Sequence, residues 1–270
     1  MSQKKVLFIA TEIAPYLPDT ERSLIARDLL QGILDRGKEV RAFMPRYGNV
    51  SERRNQLHEV IRLSGLNIII NDTDHQLILK VASIQPARMQ IYFIDNDDYF
   101  QRKFIMNNAD GEEFEDNDER SIFYVRGVLE TVKKLRWIPD IIHCHGVISA
   151  LAPVYIKKHF KNDPCYKYTK IVYSLYNDDF IKPYSDIFAK KAKIDGVTQN
   201  DLKDVKEKAD FLNISKLAID FSDGVIVNNS NVNPELIEYA RQKEDLHFLP
   251  CQPEDTYIDA FNEFYDQILS

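Results

Sequence analysis

His143 and His145 close the apolar run Ile141-Ile142 and are followed by Gly146-Val-Ile-Ser149. An apolar run that ends in two imidazoles and then turns into a helix belongs at the carboxyl edge of a parallel strand, where open α/β sheets bind ligands. Imidazoles there can move protons, hydrogen-bond a polar ligand or ligate a metal. Metal ligation needs further partners at workable spacing, and His-Cys-His has none, so no metal is expected. The other reading makes both histidines structural, bonded to neighbouring backbone. Pro18-Asp-Thr-Glu-Arg22 raises the question of anion binding, because anions favour helix N-termini. These residues read as a helix start, with Asp19 or Thr20 as N-cap, Glu21 in the first turn and Arg22 as the single cation. Tyr99 and Phe100 could stack on the apolar side of a sugar ring or fill a core. The seven carboxylates between Asp110 and Glu119 lack the spacing of a calcium loop and read as a solvated face.

The elements that must position these groups alternate. Val6 to Ala10 is a short apolar run of the kind a buried parallel strand requires. Leu24, Ile25, Leu29, Leu30, Ile33 and Leu34 then recur at helical spacing until Gly37. Val40 to Met44 is a second strand. Leu66 to Ile70, Leu77 to Val81 and Gln90 to Ile94 read as hairpin-type additions, with Asn71-Asp-Thr-Asp74 as turn chemistry. Asp116 and Glu119 have the spacing of a capping box, and Ile122, Val125, Leu129 and Val132 give the following helix one apolar face. Next come a strand from Asp140 to His143, a helix to about 160, a strand at Lys170 to Leu175, and one amphipathic helix near 200 to 222. A strand at Gly224 to Val227, a helix from Pro234, a strand at Leu246 to Leu249 and a last helix over 254–269 complete the chain. This order calls for a single Rossmann-like, doubly wound parallel sheet occupying residues 1–270. The last helix carries Tyr257, Phe261, Tyr265 and Ile268 on one side and must pack against the rest.

Composition narrows the function. The 270 residues are 44% hydrophobic, enough for a substantial core, and the formal charge is −7 with no basic stripe, which excludes a polynucleotide partner. No charged-then-apolar leader opens the sequence, and no run approaches the roughly 18 apolar residues of a membrane helix. A cytoplasmic protein without membrane association is expected. Cys144, Cys165 and Cys251 are odd in number and widely spaced, as reduced thiols are. Nine glycines and no Gly-rich phosphate loop point to no bound cofactor.

Five segments in order carry a family resemblance. Trp137-Ile-Pro-Asp-Ile-Ile-His-Cys-His-Gly-Val-Ile-Ser-Ala-Leu-Ala-Pro-Val-Tyr-Ile-Lys157 resembles W-x-P-D-[IV]-[IV]-H-x-H-D-W-H-[TS]-[AG]-L-x-P-x-Y-[IL]-K. It is preceded by Val6-Leu-Phe-Ile-Ala-Thr-Glu-Ile-Ala-Pro-Tyr16 and Gly37-Lys-Glu-Val-Arg-Ala-Phe-Met-Pro-Arg-Tyr-Gly48, then by Tyr92-Phe-Ile-Asp-Asn-Asp-Asp-Tyr-Phe100 with Asp116-Asn-Asp-Glu-Arg120. The chain is thereby similar to the N-terminal, acceptor-side catalytic domain of bacterial glycogen synthases and plant starch synthases, retaining enzymes of GT-B fold that use ADP-glucose. The resemblance implies one half of a GT-B enzyme, with the C-terminal donor domain absent after Asn233 and the final helix bracing the first domain. It implies an α-glucan ligand, with Tyr99, Phe100, Asn117 and Arg120 as acceptor-side candidates and His143, His145 and Asn177 as catalytic candidates. Departures fall at the chemistry. The family's K-T-G-G-L phosphate loop aligns with Pro18, Asp19, Thr20, Glu21 and Arg22. Its D-W-H becomes Gly146, Val147 and Ile148, and its T-I-H-N becomes Ser174-Leu-Tyr176-Asn177. Loss of these groups leads to the expectation of a storage-glucan synthase-like domain without glucosyl transfer of its own. The alternative is a non-catalytic α-glucan-binding or regulatory scaffold, with a separate protein partner or a homodimer.

Overall fold

A computed structural model describes residues 3–85, 87, 89–178, 180 and 182–270, so Met1 and Ser2 of the expected 1–270 span lie outside the described residues. The chain opens with β1 (Lys5–Ile9), α1 (Glu21–Asp35), β2 (Glu39–Pro45), α2 (Glu52–Asn55) and β3 (His58–Glu59). β4 (Leu66–Ile70), β5 (Thr73–Ile84), β6 (Met89–Asp95), α3 (Asp97–Phe100) and α4 (Asn117–Leu135) follow. Next are β7 (Ile141–His145), a 3-10 turn (Val147–Ser149), α5 (Leu151–Lys158), β8 (Lys170–Leu175) and α6 (Phe188–Ala192). The remainder is α7 (Lys203–Glu207), α8 (Phe211–Asp220), β9 (Gly224–Val227), α9 (Pro234–Arg241), β10 (His247–Leu249) and α10 (Tyr257–Leu269).

One sheet runs in the order β10-β9-β8-β7-β1-β2-β6-β5-β3, with β4 paired to β5. From β10 to β6 all neighbours are parallel. β1 and β7 are buried along almost their whole length, as parallel strands covered on both faces must be. The expectation of hairpin additions is half right. β6 is a parallel member of the main sheet, pairing Phe43 with Tyr92, while β5, β4 and β3 form the antiparallel extension. Asn71 and Asp72, both at positive φ, make the two-residue turn between β4 and β5.

Two local expectations fail for the same reason, a polar side chain preferring another partner. Asp116 makes no capping bond at α4, because its carboxylate grips Arg102, and Glu119 accepts instead from Tyr99 and Lys191. The expected single helix over 200–222 divides into α7 and α8, because Asp210 turns extended and caps a new start by accepting from the Asn213 amide at 3.0 Å.

α4, α5, α8 and α9 pack in succession, while α1 packs on α10. The seat of α10 is cut by two glycines. A Cβ at Gly224 would lie 2.6 Å from Ile268, and one at Gly32 would lie 2.4 Å from Ile258. Phe261, Phe264, Tyr265 and Ile268 are buried there, and Lys38 reaches Asn262 at 2.7 Å and Asp266 at 2.9 Å. Among the described residues no helix is long and apolar enough to cross a membrane.

Candidate functional site

The carboxyl ends of β1, β7 and β8 meet the start of α1, and Arg22 is central there. Thr20 caps α1 by accepting from the Ser23 amide at 3.0 Å, and the Ser23 hydroxyl accepts from the Thr20 amide at 2.9 Å. The Thr20 hydroxyl donates to Glu12 at 2.9 Å. Burial raises the Glu12 carboxyl above its ordinary value, with Thr20 and Arg22 pulling the other way. The cap fixes α1 so that the Arg22 guanidinium lies 4.2 Å over the Tyr176 ring and pairs with Asp178. Burial opposes the Arg22 charge, and Asp178 and Tyr176 more than offset it.

Asp178 uses its second oxygen to accept from the Val147 amide at 2.9 Å. That amide opens the 3-10 turn leading into α5, so an aspartate of the chain itself occupies a position suited to a bound anion. Gly146 makes the approach possible. Its φ is +74°, and a Cβ would stand 2.5 Å from Asp178 Oδ2 and 3.2 Å from Arg22 Nη1. Cation, carboxylate and amide thus form a closed set.

The histidines lie behind this set. His143 is fully buried, with Nδ1 2.6 Å from the Tyr265 hydroxyl and Nε2 2.6 Å from the Ser174 hydroxyl. His145 is buried as well, with Nδ1 2.8 Å from the Tyr176 hydroxyl. Burial, then the neighbouring His145, pushes His143 well below the ordinary imidazole value. Burial, then Arg22, pushes His145 down to about 3. Both are neutral near pH 7 and offer no surface to a substrate in this conformation. Their partners are side chains, not the backbone groups expected of structural histidines. Ile148 is buried, whereas Pro18, Asp19, Thr20 and Glu21 are exposed.

Asn177 is exposed and lines a groove of about 450 Å³ with Glu12, Thr20, Arg22, Asn229 and Asn231. Glu21, Ile25 and Asn229 continue from it into a groove of about 760 Å³ between α1 and α10, bordered by Asp28, Asn228, Gln252 and Tyr257.

The acceptor-side candidates are elsewhere and closed. Tyr99 is 3% exposed and Phe100 is 0% exposed, so neither ring presents a face for sugar stacking. The Tyr99 hydroxyl donates to Glu119 at 2.8 Å and lies 2.9 Å from His75 Nε2. Asn117 donates to the Met106 carbonyl at 2.8 Å and accepts from Arg120 at 2.7 Å. Arg120, fully buried, donates to the Tyr99 carbonyl at 2.9 Å. These four are buried and fasten α3 to α4.

Asp178 and Glu12 were missed as site residues. Asp178 is adjacent to the candidate Asn177, which is the only local signal; its partners lie 156 and 31 residues away. Among the described residues no cluster of three or more His, Cys, Asp or Glu is placed to hold a metal ion.

A family model described as the starch synthase catalytic domain matches residues 5–248. Glycogen synthase from Chlorobium luteolum is 32% identical over 174 residues, which is 64% of this chain and 36% of that protein. Glycogen synthase from Chlorobium chlorochromatii is 33% identical with the same coverage. The match therefore spans little more than a third of the length of these curated relatives. Among solved structures, the catalytic domain of starch synthase IV from Arabidopsis thaliana bound to ADP and acarbose shares the fold. It has a TM-score of 0.73 at 16% identity, covering 95% of this chain and 53% of that one.

Proposed function

Because this chain belongs to the starch synthase catalytic-domain family, as a glycogen or starch synthase-like glycosyltransferase domain, we propose that it acts in α-glucan metabolism without transferring glucose from ADP-glucose by its own residues. The closed set of Arg22, Asp178 and the Val147 amide carries this reading. Retaining transfer from a sugar nucleotide requires preorganised cations and amides to stabilise a diphosphate as it leaves. Here the cation is neutralised by Asp178, the amide is already bonded to that same carboxylate, and an arriving phosphate would meet negative charge. Glu21, exposed at the head of α1, adds to the repulsion. Ile148 can neither donate to a sugar hydroxyl nor stabilise charge, and His145 is sealed beneath Tyr176.

The role that remains is binding. The grooves along α1 present amides and carboxylates, groups that pair with sugar hydroxyls, together with the Tyr257 ring. We assign the α-glucan contact to this surface in place of Tyr99 and Phe100. Isothermal calorimetry with millimolar ADP-glucose tests the first part, and no saturable heat is expected. A saturable heat that vanishes in Arg22→Ala overturns it. Retardation on a glycogen affinity gel, weakened by Asn177→Ala with Asn229→Ala, is expected for the second; unretarded wild-type protein refutes the glucan assignment.

A further inference from the structure

The face that α1 turns toward α10 has the pattern acid, apolar, apolar, acid. Glu21, Leu24, Ile25 and Asp28 stand at i, i+3, i+4 and i+7, the spacing that places side chains on one side of a helix, and all four line the groove of about 760 Å³ between α1 and α10. Seven residues of helix span about 10 Å, so the two carboxylates bracket the apolar pair. From the other wall α10 brings Tyr257, Ile258 and Phe261. Leu24 is 39% exposed, and Ile25, Tyr257 and Ile258 are half-buried, so the floor of the groove is apolar and accessible.

Glu254, three residues before α10, adds a third carboxylate to the rim, and no described residue lining the groove is a lysine or an arginine. Glu21, Asp28 and Glu254 are exposed, and among the described residues none of these carboxylates forms an ion pair or a hydrogen bond. They share one space: burial, then Asp28 and Glu254 from opposite walls, pushes the Tyr257 phenol up to about 12. The groove is an apolar slot with an acidic rim. Neutral sugar hydroxyls leave that charge in place, whereas lysine or arginine side chains balance it. A slot between two packed helices also admits a third helix, whose side chains repeat at the same spacing.

We propose that the groove between α1 and α10 docks a basic amphipathic helix of a partner protein, with the partner's apolar stripe on Leu24, Ile25 and Tyr257 and its lysine or arginine side chains against Glu21, Asp28 and Glu254. This docking does not depend on the glucan contact proposed above, which is tested at Asn177 and Asn229. Cys251 gives the groove a reporter of its own, being exposed on the lining while Cys144 and Cys165 are buried.

A fluorescently labelled synthetic helix of leucine and lysine, with leucine at i, i+3, i+4 and i+7, is the probe. Anisotropy should show saturable binding with a micromolar Kd that weakens as sodium chloride is raised from about 0.05 to 0.5 M, and no binding of the same helix carrying glutamate at each lysine. Alkylation of Cys251 by iodoacetamide should slow in proportion to the bound fraction. Glu21→Lys with Asp28→Lys, and separately Leu24→Asp, should each weaken binding at least about tenfold with circular dichroism unchanged, while Asp110→Lys with Glu112→Lys on the other acidic segment should change it less than about twofold. No saturable binding, binding that the groove variants leave intact, or a Cys251 that reacts as fast with the probe bound refutes the docking site. A dimer in analytical ultracentrifugation that Leu24→Asp dissociates gives the groove to a second copy of this chain and overturns the proposed partner.

Discussion

Acid should unfold this domain through His143 and His145 before its carboxylates titrate. In the unfolded chain each imidazole has its ordinary value of 6.5 and takes up a proton as pH falls below it. In the folded domain burial holds both neutral, His145 down to about 3. The unfolded state therefore binds more protons, and stability is full above about pH 7, begins to fall near 6.5 and keeps falling toward the folded values. At pH 5 the loss through His145 is RT ln(1 + 10^1.5), about 2 kcal/mol of a net stability of about 5–15 kcal/mol, and His143 adds to it in the same direction. Urea unfolding at pH 7.5, 6 and 5 should show this as a falling midpoint. His145→Gln removes one titrating group, so its loss between pH 7.5 and 5 should be smaller by about 2 kcal/mol whatever its starting stability. A His145→Gln profile parallel to wild type would refute the burial argument.

Removing residues 257–270 strips Phe261, Phe264, Tyr265 and Ile268 from the sheet and takes away the hydroxyl that His143 Nδ1 contacts. At roughly 1.5–3 kcal/mol per buried side chain, the product should lose near-ultraviolet circular dichroism and aggregate; an unchanged melting temperature would contradict this. Tyr99→Ala with Phe100→Ala opens a hole in the core, and Phe100→Ala alone should cost about 3–5 kcal/mol by chemical denaturation. Gly146→Ala forces a Cβ against Asp178 at positive φ, so a loss of about 1–3 kcal/mol is expected. A neutral result there would mean that Asp178 does not hold the Val147 amide.

The fold was legible where burial leaves a continuous signal. The centres of β1 and β9, Val6 to Ile9 and Val225 to Val227, are apolar runs because parallel strands covered on both faces favour apolar side chains, and Gly37 marks the end of α1 at φ +85°. What failed were choices between partners. Nothing local distinguishes a strand that pairs back in a hairpin from one that runs parallel to β2, so β6 was misplaced. Asp116 had the spacing of a cap, but Arg102 competed for it, and Asp210 ended a helix that periodicity alone continued. Tyr99 and Phe100 illustrate a limit of residue type, since an aromatic pair reads alike in a core and on a sugar platform. At the site, the altered loop at Pro18 to Arg22 was visible in the sequence. The carboxylate that closes it was not, because its contacts depend on three strand ends meeting.

We propose that this chain performs no glucosyl transfer by its own residues. Purified protein incubated with ADP-[14C]glucose and glycogen measures it most directly. No incorporation above a no-protein blank is the predicted result. Incorporation that persists through stringent purification and disappears in Arg22→Ala would contradict the account.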